Sequence, residues 1–178
     1  MDLRIERTRR SIMNAFIELR AKKPLEKITV KELAEIALIN KATFYSHYND
    51  IYDLSEQLEK EAVDTVLKNI PHPDSLITNP KQGTAELAFA LMSQSKLFDT
   101  LFSDSRASIL ANRLEQGLKN KIYTLYPEYK NNLEMDILLT VLIQGCFHAF
   151  ASHINDTDAN NLVDIIGNIN ERMLLNVL

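Results

Sequence analysis

The sequence predicts an all-α protein, and three observations predict it. Apolar residues recur at three- and four-residue spacing along most of the 178-residue chain. Helix breakers are scarce: there are four glycines and five prolines, and Pro71, Pro73, Pro80 and Pro127 fall in two short interruptions. No segment carries the pattern of a strand ladder, an internal repeat or low complexity.

The first helix is expected over residues 5–20, with Ile12, Phe16 and Leu19 on one face. Lys22, Lys23 and Pro24 end it. Two short helices are expected within 28–50. A long fourth helix over 51–69 carries the stripe Ile51, Leu54, Leu58, Ala62, Val66. Its acidic residues Glu56, Glu59, Glu61 and Asp64 read as a solvated face.

The segment 70–80 stops the fourth helix and is the expected place to divide the chain. Residues 1–50 form one domain, helix 51–69 connects, and 70–178 form a second. Beyond the division, helices are expected near 82–102, 105–125, 131–155 and 158–177. Residues 137–143 are apolar nearly all round, so more than one face there needs covering. The last helix has a stripe of Leu162, Ile165, Ile166, Ile169, Met173, Leu174 and Val177.

Apolar residues make up 46% and charged residues 25%, ordinary for a soluble globular chain long enough for one sizeable core or two small ones. The net charge of −4 is unevenly spread. Residues 1–47 hold ten Lys/Arg against six Asp/Glu, and residues 48–178 hold ten against eighteen. A basic front and an acidic rear suit a protein that offers one end to a polyanion. The single cysteine, Cys146, excludes an intrachain disulfide framework and a Cys-based zinc finger. The first residues lack the apolar core of a secretory signal, and 137–143 is far shorter than a bilayer span. The expectation is a cytoplasmic protein without a membrane partner.

Residues 28–54, ITVKELAEIALINKATFYSHYNDIYDL, are the most informative segment. Thr29 and Glu32 match a capping box, with Ile28 and Leu33 placed as a hydrophobic staple. Val30, Leu33, Ala34 and Ala37 follow at helical spacing. Asn40 then caps a second helix, with Phe44 and Tyr48 on its inner face. Lys41, Ala42, Thr43, Ser46 and His47 are left outward, with Tyr45 at the rim. Two short capped helices joined by a tight turn describe a helix-turn-helix, whose second helix enters the DNA major groove. Lys41 suits guanine, Ala42 suits a thymine methyl, and Thr43 and Ser46 are adaptable hydrogen-bonders. Thr29 is placed to grip a phosphate, and Lys31 to reach the backbone or a base edge.

Residues 8–58 resemble the N-terminal DNA-binding domain of the TetR/AcrR family of transcriptional regulators. TFYSHYNDIYDL, residues 43–54, carries the likeness most strongly, and TVKELAEIA, residues 29–37, supports it. The resemblance implies a three-helix helix-turn-helix domain followed by a helical ligand-binding and dimerisation domain. It makes Lys31, Lys41, Ala42, Thr43, Ser46 and His47 candidate base or groove-wall contacts, and Thr29, Tyr45 and Tyr48 candidate phosphate contacts. The implied partners are double-stranded DNA with a palindromic operator, a second copy of the chain, and a small-molecule effector. Two departures stand out. The family's turn glycine is Leu38 here, and a left-handed leucine costs roughly 1–2 kcal/mol. The lysine usual at the start of the fourth helix is Ile51, so any phosphate grip by that side chain is lost.

Phe89, Met92, Phe98, Phe102, Met135, Phe147 and Phe150, with Gln144 and His148 as polar anchors, are candidates for an effector pocket, against the plainer reading of core packing. No catalytic motif, cofactor motif or metal-ligand spacing occurs; His148 and His153 lie five apart. The expected function is a homodimeric repressor released by a ligand, not an enzyme. The alternative is a protein of the same fold that acts through a protein partner.

Overall fold

The computed structural model describes residues 3–103 and 106–175. Every regular element among them is helical: α1 (Leu3–Arg20), a 3-10 turn (Leu25–Lys27), α2 (Val30–Ile36), α3 (Lys41–Tyr45), α4 (Ile51–Lys68), α5 (Ser75–Thr78), α6 (Pro80–Met92), α7 (Ser95–Leu101), α8 (Ala107–Leu125), a second 3-10 turn (Pro127–Asn131), α9 (Leu133–His153) and α10 (Ala159–Leu174). Val177, the last residue of the expected final stripe, lies outside the described residues.

Most helices begin where their own side chains satisfy the first free backbone N–H groups. Asn79 caps α6 ahead of Pro80 at its first position, Asn132 caps α9, and Asp158 caps α10. The segment expected as one helix over 82–102 is two. Ser93 turns its hydroxyl back to the Ala90 carbonyl, the Gln94 N–H bonds Leu91, and α6 closes there before α7 starts at Ser95.

The chain forms two compact units, residues 1–62 with 96–106, and 63–95 with 107–178. The boundary thus falls inside α4 rather than at 70, and α7 belongs with the N-terminal residues.

In the first unit, Ile12, Phe16, Leu33, Phe44 and Leu54 are fully enclosed. Arginines fasten its elements. Arg106 grips Glu59 of α4 with both arms, Nε to Oε1 and Nη2 to Oε2, each at 2.8 Å, and Ser55 donates to the same carboxylate. Glu59 is 0% exposed, so the expected solvated face of helix 4 is corrected at this position. The reason is the counter-charge supplied from 47 residues away. Arg20, also buried, donates to the Ser103 hydroxyl and to the Lys23 carbonyl. Arg9 of α1 pairs with Glu61.

In the second unit, α10 packs along α6 and α8 along α9. The helices approach closely where side chains are missing. A Cβ on Gly83 would lie 2.4 Å from the Leu76 backbone nitrogen, and one on Gly117 would lie 2.2 Å from a Leu67 methyl. A polar ladder joins α8 to α9. Lys119 bridges Glu115 and Asp136, Thr140 donates to Glu115, Gln144 donates to Glu115 and Asn112, and Tyr123 donates to Asp136 at 2.7 Å. Beneath it, Asn170 donates to Thr84 and to the Cys146 sulfur, and burial pushes the Cys146 thiol up.

Candidate nucleic-acid interface

The α2–α3 segment is built by its caps. The Thr29 hydroxyl accepts from the Glu32 N–H at 3.3 Å, and the Glu32 carboxylate reaches back to the Thr29 N–H and hydroxyl. Lys23 donates to both Glu32 oxygens, at 2.6 and 2.7 Å. Lys23, then Thr29, hold the Glu32 carboxyl below the usual range. The Thr29 hydroxyl already donates its hydrogen bond to Glu32, so a phosphate there would have to displace that bond.

At α3, Asn40 accepts from both the N–H (2.7 Å) and the hydroxyl (2.9 Å) of Thr43, and the Ser46 hydroxyl donates to the Thr43 carbonyl. In this state both hydroxyls present lone pairs outward, which suits base-edge donors such as the amino groups of adenine and cytosine. Phe44 is 0% exposed and anchors the helix, meeting Tyr45 edge-on at 5.5 Å between centroids.

Most of the sequence-predicted site residues are open to solvent. Lys31, Lys41, Ala42, Tyr45 and Ser46 are exposed, and Thr43 and His47 half-buried. Thr29 is exposed at the start of α2. Tyr48 stands apart from them. It is buried against Phe44, and its hydroxyl is enclosed without a hydrogen-bond partner. Burial raises its pKa against the opposing pull of Arg9. As placed here, Tyr48 supports α3 from within and does not offer its hydroxyl to a phosphate.

The turn into α3 adopts the conformation that the missing glycine would favour. Leu38 has φ 55°, the sole positive φ among the described residues, and its side chain is 91% exposed. At α4, Ile51 is buried, so this position points into the core rather than outward. The Asp53 N–H bonds the Asp50 carboxylate, and Asn49 and Gln57 donate to the Asp53 carboxylate. These bonds, the Asn49 N–H foremost, hold the Asp53 carboxyl low. Tyr52, one residue into α4, is 55% exposed. Sequence reading passed over it because Ile51 held the position of interest.

The effector-pocket candidates do not converge. Phe98 and Phe102 are buried in the first unit, edge-on at 5.7 Å. Phe147 and Phe150 line a cavity in the second unit with Thr84, Leu87, Cys146 and Ile166, of about 10 Å³. That space is no larger than one water molecule. Met135 is core, Phe89 and Met92 are exposed, and Gln144 is spent on the α8–α9 ladder. Among the described residues no group of three or more His, Cys, Asp or Glu side chains is placed to hold a metal ion.

A second surface is apolar. Leu133, Ile137 and Val141 of α9 and Ile165 and Ile169 of α10 are exposed, and a Cβ on the exposed Gly145 would meet nothing within 4 Å. By length and composition α9 is apolar enough to cross a membrane, and a third of its most apolar stretch is buried. Set against known proteins, the chain matches no family model and no curated relative.

Proposed function

We propose that this chain is a DNA-binding transcriptional regulator of the TetR/AcrR kind, acting as a homodimer. One observation carries the reading. Two short capped helices bury Leu33 and Phe44 completely, and the second, with the turn after it, leaves Lys41, Ala42 and Ser46 exposed and Thr43 and His47 half-buried. This is the layout by which a recognition helix reads base edges in the major groove. The exposed apolar positions on α9 and α10 support the dimer, because a face of that kind in water calls for cover. A two-fold dimer presents its recognition helices about 34–36 Å apart, one DNA turn, or somewhat more, to a palindromic operator. Repression relieved by a small molecule is the form of regulation we favour. The second unit's cavity is so small that an effector would have to part α6 from α9 and α10 to enter.

The test is binding of the whole protein to DNA upstream of its own gene, with scrambled DNA as control. Tight binding to the first alone is expected. Lys41→Ala should cost about 1–3 kcal/mol on that site and relax preference at one base pair per half-site. Equal binding to both DNAs, or none, overturns the reading.

A further inference from the structure

The first unit carries a groove that the helix-turn-helix pattern does not account for. It measures about 600 Å³ and is lined by Leu3, Arg4, Arg7, Thr8 and Ser11 of α1 and by Ala37, Leu38 and Ile39 of the turn into α3. Among the described residues its walls hold two arginines and no carboxylate. The α1 arginines sort by face: Arg9 turns to Glu61 of α4, whereas Arg4 and Arg7 turn to the groove.

We infer that this groove takes the DNA sugar-phosphate backbone flanking the bases read by α3, with Arg4 and Arg7 as its phosphate ligands. The inference rests on the DNA-binding reading above and extends it to residues outside the helix-turn-helix.

Position supports it first. The groove's far wall, Leu38 and Ile39, runs directly into Asn40 and Lys41, the N-terminal end of α3, and recognition helices place that end against the bases. A strand leaving the contacted bases therefore passes beside α1. Spacing supports it second. Residues three apart on a helix stand about 5–6 Å from each other at Cβ, and phosphates succeed one another every 3.4 Å of axis along each strand. Two long guanidinium side chains at that separation suit neighbouring phosphates. Chemistry supports it third. Both arginines are exposed, so they meet a polyanion without first being desolvated. Leu38, held left-handed at 91% exposure, gives the rim a methyl surface that suits deoxyribose carbons. The chain's own packing makes little use of that side chain.

The experiment is a salt titration of the whole protein on the upstream DNA and on a random-sequence duplex. It compares the wild type, Arg4→Gln with Arg7→Gln, Arg4→Lys with Arg7→Lys, and Arg10→Gln. Arg10 is exposed on α1 but does not line the groove. The glutamine pair should flatten the log K against log salt slope by roughly two per half-site on both DNAs, because each lost phosphate contact removes about 0.9. The lysine pair should keep most of the slope, and Arg10→Gln should leave it nearly unchanged. If the wild type binds DNA but the glutamine pair keeps its slope, the inference fails while the DNA-binding reading stands. Equal flattening by Arg10→Gln would reduce the effect to diffuse charge and also overturn it. A wild type that binds no DNA sinks both.

Discussion

The α3 surface and the α9–α10 surface are both exposed, yet they meet water in opposite ways. On α3 the hydroxyls of Thr43 and Ser46 are tied to the backbone or to a cap, and Lys41 stands in solvent. Such a face is comfortable in water, and on the proposed reading it exchanges that water for DNA. On α9 and α10, Leu133, Ile137, Val141, Ile165 and Ile169 offer hydrocarbon at the very positions where a surface helix would carry polar groups. In the proposed function the first face meets DNA and the second meets a second copy of the chain. The contrast is the one expected between a surface used intermittently and one kept covered.

The largest expected effect tests whether local caps alone sustain the polar face. Arg106→Ala leaves Glu59 buried without its bidentate partner, at a cost of about 3–5 kcal/mol. Replacing the pair together, Glu59→Leu with Arg106→Met, should recover most of that loss. Urea denaturation of both variants checks it. A loss under about 1 kcal/mol for Arg106→Ala would mean that the caps suffice.

The apolar face comes next. Ile137→Glu with Ile169→Glu should weaken self-association roughly thirtyfold or more, the scale of a central interface position. Sedimentation velocity across a dilution series reads it. A wild type that is monomeric at micromolar concentration would break the comparison outright.

Smaller effects sharpen it. Leu38→Gly relieves a left-handed leucine costing roughly 1–2 kcal/mol but loosens the unfolded chain, for a net gain of about 0.5–1 kcal/mol. A lower urea midpoint would show that Leu38 contributes contacts in the isolated protein. The smallest concerns the support behind α9. Burial and the bond to Asp136 raise the Tyr123 hydroxyl from 10 to about 12. Its folded pKa lies above its unfolded one, so its contribution is whole below pH 10 and fades as pH rises through about 12. Tyr123→Phe should flatten that alkaline decline in a series of melting curves and lower the melting temperature modestly at neutral pH, where the wild type still has the whole contribution.

What the sequence disclosed was local, and what it hid was distant. Thr29 with Glu32, and Asn40 with Thr43, are legible because a cap and its helix lie within three residues. The buried stripes Ile12–Phe16–Leu19 and Leu54–Leu58 are legible through their period. Glu59 was not, because a glutamate on helix 4 reads as solvated until Arg106 is placed against it. The break after Met92 depends on one serine hydroxyl turning back to Ala90. Within the candidate site, Tyr48 followed its i+4 spacing from Phe44 into the core, and that spacing outweighs its hydroxyl. Arg4 and Arg7 were counted in the basic front but had no assigned role until the fold set them across from Leu38.

The Arg106–Glu59 pair also sets an order of events during synthesis. Chains emerge from the ribosome N-terminus first, at about 5–20 residues per second. Helices α1 to α4 can form as they appear, but Glu59 then waits 47 residues for the guanidinium that neutralises it. The nascent first unit therefore stays unfinished until α7 and Arg106 have been made. A fragment cut at residue 62 would keep every side chain of the α3 surface and still lack its counter-ion.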